Sequence, residues 1–318
     1  MKLLVLGGTR FVGRAVVDAL LDSHDVTVLN RGTQPLWDGR ITQLVADRDD
    51  TRQMADAWTV AYDAVVDVSA TVPGHLRHLP RATEIPRYVF ISSAAVYSRE
   101  SAAPPFREDD RADGDAIWGG YGEAKATCER LLREALPARS LTVLRPPYVY
   151  GPHNTEQREQ FLWARMAADQ PVFVPGDGRT RIQFCASRTV AETVVAAVEG
   201  RLPAGTYNVA EQRGYTFLEY LAVLADVIGL PAARIVPVTD PSVPAREYFP
   251  FRQAELTLDV SRLAALGLVP DVDLASGLVA TLAWFRRNGG LPDEPTPREY
   301  AWRATTPGAS PWSGQGGR

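Results

Sequence analysis

Tyr121 and Lys125 lie four residues apart in the helical segment YGEAK. Side chains at this spacing lie on the same face of a helix. A phenol with a pKa of about 10 is a poor acid–base group at neutral pH, but a nearby ammonium stabilises the phenolate and lowers that pKa. The pair could therefore exchange a proton with an oxygen whose carbon gains or loses a hydride.

The same spacing also occurs by chance on ordinary helix surfaces, so a second feature is needed to support this chemistry. Ser92 and Ser93 come at the end of the apolar segment YVFIS, which predicts a strand over Tyr88–Ser92. A turn that follows a parallel strand lies at the carboxyl edge of the sheet, where ligands bind. The sequence thus predicts a hydroxyl-bearing turn at that edge.

A glycine-rich loop, GGTRFVG at residues 7–13, joins the first predicted strand to the first predicted helix. Glycines permit positive φ and let a pyrophosphate approach backbone N–H groups, and the helix N-terminus adds partial positive charge. An ordinary glycine turn is the alternative, but the position of the loop in the first βα unit favours nucleotide binding. The residues expected to contact the cofactor are Gly7, Thr9, Arg10, Phe11, Val12 and Gly13.

The residues at the end of the second predicted strand indicate which nicotinamide cofactor is bound. A free ribose 2′-OH is usually met by a carboxylate, whereas a 2′-phosphate needs an arginine and no nearby negative charge. Here Asn30 is neutral and Arg31 can donate two hydrogen bonds to a phosphate, so NADP(H) is favoured and NAD(H) is the alternative. Asp47 is placed to accept from the adenine amino group or to cap the next helix, and Arg48 is assigned to the same cofactor site.

Three predicted helices flank these residues. The hydrophobic periodicity predicts a helix over Asp49–Val60, a short helix near Gly74–Thr83, and a long helix over Ala116–Leu136 that carries Tyr121 and Lys125.

Short apolar segments alternate with helical ones through the first half of the chain. Strands that are apolar throughout, each followed by a helix, are typical of a parallel sheet covered on both faces. The predicted fold is α/β, a doubly wound parallel sheet of the Rossmann type with a smaller α+β C-terminal substrate lobe. We place the NAD(P)-binding domain at residues 1–150, the substrate-binding lobe at 151–302 with chain crossings between the lobes, and a disordered tail at 303–318.

The composition excludes several classes of protein. The 318 residues carry 34 Lys and Arg against 38 Asp and Glu, a net charge of −4 that argues against a protein built to coat nucleic acid. No apolar stretch reaches the length of a transmembrane helix, and the N-terminal one is too short for a signal peptide. Cys128 and Cys185 have no metal-binding or disulfide spacing, so we expect two buried thiols, no metal site, and a cytoplasmic protein without membrane contact.

Taken together, the motifs resemble the extended short-chain dehydrogenase/reductases, the NAD(P)-dependent epimerase/dehydratase group. The resemblance covers about residues 1–290 and rests on the segments GGTRFVG, ISSAAVY, YGEAK, LRPPYVYGP, PGDGRTRIQF and GLVATLAWFRR. It implies that Tyr121 is the catalytic acid/base, that Lys125 binds the nicotinamide ribose and tunes Tyr121, and that Ser93 binds the substrate oxygen. Further cofactor contacts implied by the resemblance are Val68, Ser69, Ala70, Pro146 and Pro147.

The chain also departs from that group. The spelling GGTRF, with Arg10 in place of a glycine, is similar to a branch that includes chloroplast stem-loop RNA-binding proteins, which tend to lack the full Ser/Tyr/Lys set kept here. Tyr148 replaces an asparagine that touches substrate in sugar-nucleotide epimerases, and an Arg-Asp pair near the diphosphate is missing. These differences argue against a UDP- or dTDP-linked substrate, unless an arginine such as Arg181 substitutes. The expected substrate contacts are Ser93, Trp118, Tyr148 and Arg181.

The sequence therefore predicts an NADP(H)-preferring oxidoreductase/epimerase that acts at a hydroxyl or ketone carbon of a sugar-like or natural-product substrate. One alternative is a nucleotide-sugar 4-epimerase or dehydratase that retains NAD. The alternative from another class is a non-catalytic RNA-binding or cofactor-sensing protein on the same fold, which the acidic charge and the intact Ser/Tyr/Lys set disfavour. Because the helix of Tyr121 commonly forms a dimer interface in the resembled group, a homodimer is a further expectation.

Overall fold

The computed structural model describes residues 1–79, 85–268, 273–291 and 296–303. The chain divides into two compact units. The first consists of Met1–Asn154, Gln183–Gly214 and Leu256–Asp273, and the second of Thr155–Ile182, Tyr215–Glu255 and Leu274–Arg318. Each unit is therefore assembled from segments that are distant in the sequence.

Strands and helices are interspersed along the described part of the chain. In chain order, the strands are β1 (Lys2–Leu6), β2 (Asp25–Asn30), β3 (Thr42–Val45), β4 (Ala64–Asp67), β5 (Tyr88–Ile91), β6 (Leu141–Arg145), β7 (Tyr148–Tyr150), β8 (Val172–Pro175), β9 (Arg181–Ala186), β10 (Gly205–Asn208), β11 (Gly214–Thr216) and β12 (Ile235–Val238). The helices are α1 (Phe11–Leu20), α2 (Thr51–Ala57), α3 (Gly120–Ala135), α4 (Glu159–Ala167), α5 (Ser187–Val198), α6 (Phe217–Ile228), α7 (Ser261–Ala264), α8 (Leu274–Arg287) and α9 (Pro297–Arg303).

A parallel sheet of seven strands, in the order β10-β6-β5-β4-β1-β2-β3, forms the centre of the first unit. The strand order reverses beside β1, where the chain runs outward to β2 and β3 and then returns to β4 on the other side. Parallel sheets leave a ligand crevice at such a switch point, beyond the carboxyl ends of the strands. In this sheet those ends are Leu6 and Asp67, which pair with each other.

Both faces of this sheet are covered, because successive side chains of a strand point to opposite sides. Leu3 and Val5 of β1 belong to the apolar layer that includes residues of α1 and α5. Leu4 and Leu6 belong to the opposite layer, which includes residues of α2 and α3. The prediction of a doubly wound α/β sheet is confirmed, and both cysteines are buried as expected.

Two predicted helices differ from the observed ones. The helix predicted from Asp49 begins at Thr51, because the Asp50 side chain accepts hydrogen bonds from the backbone N–H groups of Arg52 and Gln53. The helix predicted over Ala116–Leu136 is interrupted: a 3₁₀ turn ends at Trp118, Gly119 adopts a φ of 59°, and α3 starts at Gly120. A glycine in this left-handed region ends one helical segment and allows the chain to change direction before the next.

The helix predicted near Gly74–Thr83 is also shorter than expected. A single 3₁₀ turn covers Pro73–Leu76. Residues 80–84 of the predicted segment lie outside the described residues, as does the predicted tail beyond α9, residues 304–318.

The second unit has its own core. Strands β8 and β12 pair in parallel, and α6 packs against both α4 and α8. The indole N–H of Trp163 donates to the carbonyl of Leu224, 3.0 Å away, and joins α4 to α6. Arg165 forms a buried bidentate ion pair with Glu299, with N–O distances of 2.8 and 2.7 Å. Across both units, the helices of the described residues are too short or too polar to cross a membrane.

A second buried ion pair ties helix α3 to the central sheet. Arg145, the last residue of β6, donates to both carboxylate oxygens of Glu129 at 2.9 and 2.6 Å. The Ser92 hydroxyl donates to the same carboxylate at 2.5 Å, and Arg145 also donates to the Tyr97 hydroxyl. Burial alone would raise the pKa of Glu129, but the Arg145 hydrogen bonds and charge hold it below its usual value. Glu129 therefore stays ionised and orders the turn that follows β5.

We expect Glu129→Gln to lower the free energy of unfolding by about 3–5 kcal/mol, because it leaves the buried Arg145 guanidinium without its counter-charge. The matched control is Glu134→Gln on the same helix, whose partner Arg130 is exposed, and it should cost no more than about 0.5 kcal/mol. Urea unfolding at pH 7 measures both values. Equal losses for the two variants would show that the buried pair does not stabilise the fold in this way.

Candidate functional site

The glycine-rich loop between β1 and α1 is held in a conformation that only glycines fit. Gly7 has a φ of 90°, and a Cβ at this position would collide with Ser69. A Cβ on Gly13 would collide with the carbonyl oxygen of Gly7, so α1 lies directly against the loop. These close approaches leave a cradle of backbone at the carboxyl end of β1, of the kind that accommodates a pyrophosphate.

The start of α1 faces this cradle without a side-chain cap among the described residues. Arg10 precedes the helix in an extended conformation, and its exposed side chain does not cap the helix. Phe11 has a φ of 40°, a strained value for a residue with a Cβ, and such strain is characteristic of functional loops. Thr9 and Val12 are partly buried beside them. The N–H groups of the first helical turn thus remain available to an anion.

Asn30 and Arg31 lie at the carboxyl end of β2, next to the glycine-rich loop of residues 7–13. The Asn30 Oδ1 accepts from the backbone N–H of Gly32 at 2.7 Å and from Gln43 Nε2 at 3.0 Å. Its Nδ2 is buried without a hydrogen-bond partner among the described residues. Arg31 is exposed and forms no ion pair within the described part of the chain. The position thus presents donor groups and one cation to a ligand, and no carboxylate.

Asp47 and Arg48 are engaged in contacts of their own. The carboxylate of Asp47 accepts from the backbone N–H of Asp49 at 3.0 Å, which closes the turn before α2. Arg48 is buried and donates to both oxygens of Asp67 at 2.6 and 2.8 Å. It also donates to the Ser69 hydroxyl at 2.7 Å. The guanidinium of Arg48 therefore lies under the loop that follows β4, and the cofactor contact predicted for it stays a prediction.

Lys125 is a buried residue held by two backbone carbonyl groups. It is only 2% exposed, and its Nζ donates to the carbonyl oxygens of Ala70 at 2.8 Å and Ile91 at 2.7 Å. The Ile91 carbonyl belongs to the last residue of β5 and the Ala70 carbonyl to the loop that follows β4, so the ammonium bridges these two segments at the sheet edge. Burial lowers the pKa of Lys125 to about 8, against the opposing effect of the Asp67 carboxylate.

Ser93 and Tyr121 are placed on two elements that touch. Ser93 caps the 3₁₀ turn Ala94–Val96, and its Oγ accepts from the N–H of Ala95 at 3.2 Å. A Cβ on Gly122 would collide with the carbonyl oxygen of Ala95, so the first turn of α3 lies directly on this turn. Tyr121, one helical turn before Lys125, is 44% exposed. A buried, hydrogen-bonded lysine and an accessible phenol thus lie one helical turn apart on α3, whose first turn packs against the turn that Ser93 caps.

The predicted residues after β6 border the same turn. The carbonyl of Pro146 accepts from the N–H of Ala94 at 2.8 Å, which places Pro146 and Pro147 beside Ser93. Tyr148 follows in β7, and its ring lies 6.2 Å from that of Trp118 in an edge-to-face arrangement. The first unit thus brings Ser93, Trp118 and Tyr148 to the same end of the sheet.

Arg181 lies in the second unit. It is the first residue of β9, and its guanidinium is 3.4 Å from the carboxylate of Glu219, the residue that completes the capping box of α6. Its predicted substrate contact stays a prediction.

Glu211 is a buried acidic residue that the sequence reasoning missed. It is 4% exposed and lies three residues beyond β10, where its Oε1 accepts from the Tyr150 hydroxyl at 2.8 Å. Its Oε2 is buried without a hydrogen-bond partner among the described residues. Burial raises the pKa of Glu211 to about 7, and the Asp273 carboxylate adds to the effect. Nothing in its sequence context, NVAEQRG, distinguishes this residue from a surface glutamate.

The sequence profile of the NAD dependent epimerase/dehydratase family matches residues 3–210. The chain belongs to this family. The match covers the phosphate loop, the Ser93 turn, the Tyr121–Lys125 helix and strand β10. It confirms the resemblance and, at the level of the family, the prediction of an NAD(P)-dependent enzyme with a Rossmann fold.

Two curated relatives illustrate the range of the family. The chain is 28% identical to the chloroplast stem-loop binding protein of 41 kDa b from Arabidopsis thaliana, over 87% of this chain and 77% of the relative. It is 24% identical to the dTDP-glucose 4,6-dehydratase of an Actinoplanes strain, over 91% and 98% of the two chains.

Solved structures share the fold at lower identity. The UDP-glucose 4-epimerase of Thermotoga maritima, determined with UDP-glucose, is 20% identical with a TM-score of 0.71 and coverage of 90% and 99% of the two chains. The UDP-glucuronic acid 4-epimerase of Bacillus cereus, in complex with NAD, gives the same identity, TM-score and coverage. The likeness extends over both units of this chain.

We expect Glu211→Gln to change how stability depends on pH. The folded protein keeps the proton on Glu211 up to about pH 7, whereas the unfolded chain releases it near pH 4.5. The wild type therefore loses stability as the pH rises from 4.5 through 7, by about 3 kcal/mol in total. Glutamine cannot ionise, so the variant should match the wild type near pH 4.5 and exceed it by about that amount at pH 8. Urea unfolding of both proteins across this range provides the measurement, and a difference independent of pH would contradict the assignment.

Proposed function

We propose that this protein is an NADP(H)-preferring oxidoreductase or epimerase acting at a hydroxyl or ketone carbon of a sugar-like or natural-product substrate. The observation that carries the proposal is the geometry of Lys125, whose ammonium is fixed by the carbonyls of Ala70 and Ile91 one helical turn from an accessible Tyr121. A lysine held in this way keeps a positive charge beside the phenol without obstructing it.

The dinucleotide fits the backbone cradle of the first unit. Its phosphates would be held by the Gly7–Gly13 loop and the start of α1, and its nicotinamide half by Lys125 and by Val68, Ser69 and Ala70. When bound, the nicotinamide supplies or accepts the hydride. The collision that a Cβ at Gly7 or Gly13 would cause supports this fit, because such closeness is needed where a phosphate meets backbone N–H groups.

Tyr121 moves the proton. Its hydroxyl donates a proton to the oxygen of a ketone that is being reduced, or takes one from a hydroxyl that is being oxidised. The Lys125 ammonium stabilises the phenolate form in both directions. Ser93 would hold the same substrate oxygen by a hydrogen bond, and the packing of its turn against the first turn of α3 supports this role. Trp118 and Tyr148 would contact the body of the substrate.

Two alternatives follow from the relatives. The similarity to a dTDP-glucose dehydratase and to two UDP-sugar 4-epimerases supports a nucleotide-sugar substrate with retained NAD. The stem-loop binding relative supports an RNA-binding role on the same fold. We favour the oxidoreductase because Tyr121, Lys125 and Ser93 are all present and the net charge is −4. A cytoplasmic homodimer whose interface includes α3 is part of the proposal, and light scattering tests the dimer.

The cofactor preference rests on Arg31. We expect the wild type to bind NADPH at least several-fold more tightly than NADH, because a guanidinium–phosphate contact is charge-assisted and stabilises the complex by about 1.5–3 kcal/mol. Arg31→Ala should remove the preference, whereas Arg77→Ala, at an exposed arginine outside the loop, should keep it. Calorimetry of the three proteins with both cofactors gives the six affinities, and equal binding of NADPH and NADH by the wild type would rule out the preference.

Turnover tests the catalytic role of Tyr121. Tyr121→Phe removes the transferable proton but keeps the ring, so NADPH binding should be retained while turnover falls by about 10²–10⁴-fold. The control is Tyr207→Phe, whose hydroxyl donates to the backbone carbonyl of Pro203, and it should keep full activity. Reduction of a panel of keto-sugars, followed by loss of NADPH absorbance, measures turnover.

Three separate measurements distinguish the proposals. Full turnover by Tyr121→Phe would mean that the proton travels by another route. Release of tightly bound NAD on denaturation of the wild type would favour the epimerase or dehydratase alternative. Salt-sensitive retardation of a stem-loop RNA without any turnover would favour the RNA-binding alternative.

A further inference from the structure

A fully buried carboxylate lies at the end of β4, directly beneath the residues that hold Lys125. Asp67 is 0% exposed, and the forked guanidinium of Arg48 donates to its two oxygens at 2.6 and 2.8 Å. The Tyr88 hydroxyl donates to Oδ2 at 2.7 Å. Although burial would raise the pKa of Asp67, the Arg48 charge and hydrogen bonds hold it below its usual value. The pair is therefore ionised inside the sheet edge.

This pair also fixes the path of the loop after β4. Asp67 Oδ1 accepts from the backbone N–H groups of Ser69 at 3.1 Å and Ala70 at 3.0 Å. Arg48 donates to the Ser69 hydroxyl at 2.7 Å and to the carbonyl of His75 at 3.1 Å. The next group along this loop is the Ala70 carbonyl, which receives Lys125 Nζ. One continuous set of hydrogen bonds thus connects Arg48 to the Lys125 ammonium.

The charges of the pair act on Lys125 in opposite directions. Among the described residues, the main charged groups and thiol that influence it are Asp67 on β4, Arg48 after β3, and Cys128 and Glu129 on its own helix, and the Tyr121 phenol lies one turn before it on that helix. Burial is the main cause of its low pKa; the Asp67 carboxylate raises that pKa and the Arg48 guanidinium lowers it. While both are present, their effects oppose each other.

We propose that Arg48 and Asp67 are positioning residues for Lys125, which order the Val68–Ala70 loop around its ammonium and balance the charge beside it. This inference rests on the proposed function only in assigning Lys125 to the reaction. It gives Arg48 a role inside the protein, beneath the Val68–Ala70 loop, in addition to any contact with the dinucleotide.

The pKa of Lys125 can be measured directly, because Lys2 and Lys125 are the only lysines in the sequence. Lys2 is exposed. Protein labelled with ¹³Cε-lysine therefore gives two side-chain signals, and titration from pH 6 to 11 reads the pKa of Lys125 with Lys2 as an internal reference. The experiment needs no substrate and no turnover.

Removal of Asp67 and removal of Arg48 should shift the pKa of Lys125 in opposite directions. Asp67→Asn removes the negative charge and should lower the pKa of Lys125 by about one pH unit or more, because an unopposed Arg48 guanidinium then disfavours the ammonium. Arg48→Met should raise it by a similar amount, because Asp67 then faces the ammonium without its counter-charge. A residue with a merely structural role would not produce shifts of opposite sign.

The double variant Arg48→Met/Asp67→Asn separates charge from position, and it is the variant best suited to fold, because it removes the whole pair rather than one partner. Its Lys125 pKa should lie within about 0.5 pH unit of the wild-type value. NADPH should nevertheless dissociate several-fold more readily, because the Val68–Ala70 loop has lost its anchor. Arg165→Met breaks the buried pair of the second unit and should leave the Lys125 pKa unchanged.

The proposal is overturned if the two single variants give the same Lys125 pKa, or if the double variant shifts it by a full pH unit. Should neither single variant fold, the double variant still decides through its titration and its NADPH affinity. Failure of the proposed function appears elsewhere, as unchanged turnover in Tyr121→Phe, and would leave the titration results intact.

Discussion

The structure around the site depends on one constraint, the burial of an ammonium group at the edge of a parallel sheet. Lys125 can be buried because the end of β5, at Ile91, and the loop that follows β4, at Ala70, present carbonyl oxygens to the same point. Only a parallel arrangement brings such ends together, since all carboxyl ends then lie on one side. The reach of the side chain from α3 in turn fixes the helix against the turn after β5, which gives Tyr121 and Ser93 their places.

Two buried ion pairs in the first unit also hold segments around the site. Glu129 and Arg145 hold α3 against β6, and Asp67 and Arg48 hold the loop after β4. Each carboxylate also accepts a hydroxyl hydrogen bond, from Ser92 in one case and Tyr88 in the other. Charges removed from water are tolerated when they are paired and hydrogen-bonded in this way. Loss of a single partner should therefore displace the segments that carry the site residues.

Glu211 is the contrasting case. Its carboxyl group is buried beside the Tyr150 hydroxyl without a cation among the described residues that influence it, so its pKa rises instead of falling. The sheet edge therefore holds carboxylates kept ionised by arginine and one carboxyl that stays protonated up to about neutral pH. The surroundings of each carboxyl group, and not its residue type, decide whether it is ionised at neutral pH.

The sequence by itself determined the sheet, its parallel connections and the loop of Gly7 and Gly13, because local spacing and apolar patterning are sufficient to specify a βα unit. It also indicated Tyr121 and Lys125, since residues four apart share a helix face wherever the helix lies.

The sequence could not show that Arg48 lies inside the protein bound to Asp67, or that Glu211 is buried, because those contacts join residues 19 and 61 positions apart. The break at Gly119 was missed although the adjacent Gly119 and Gly120 are a local turn signal, because the predicted helix was drawn straight across them. Contacts between distant segments set burial and charge pairing, and these were decided by the tertiary structure.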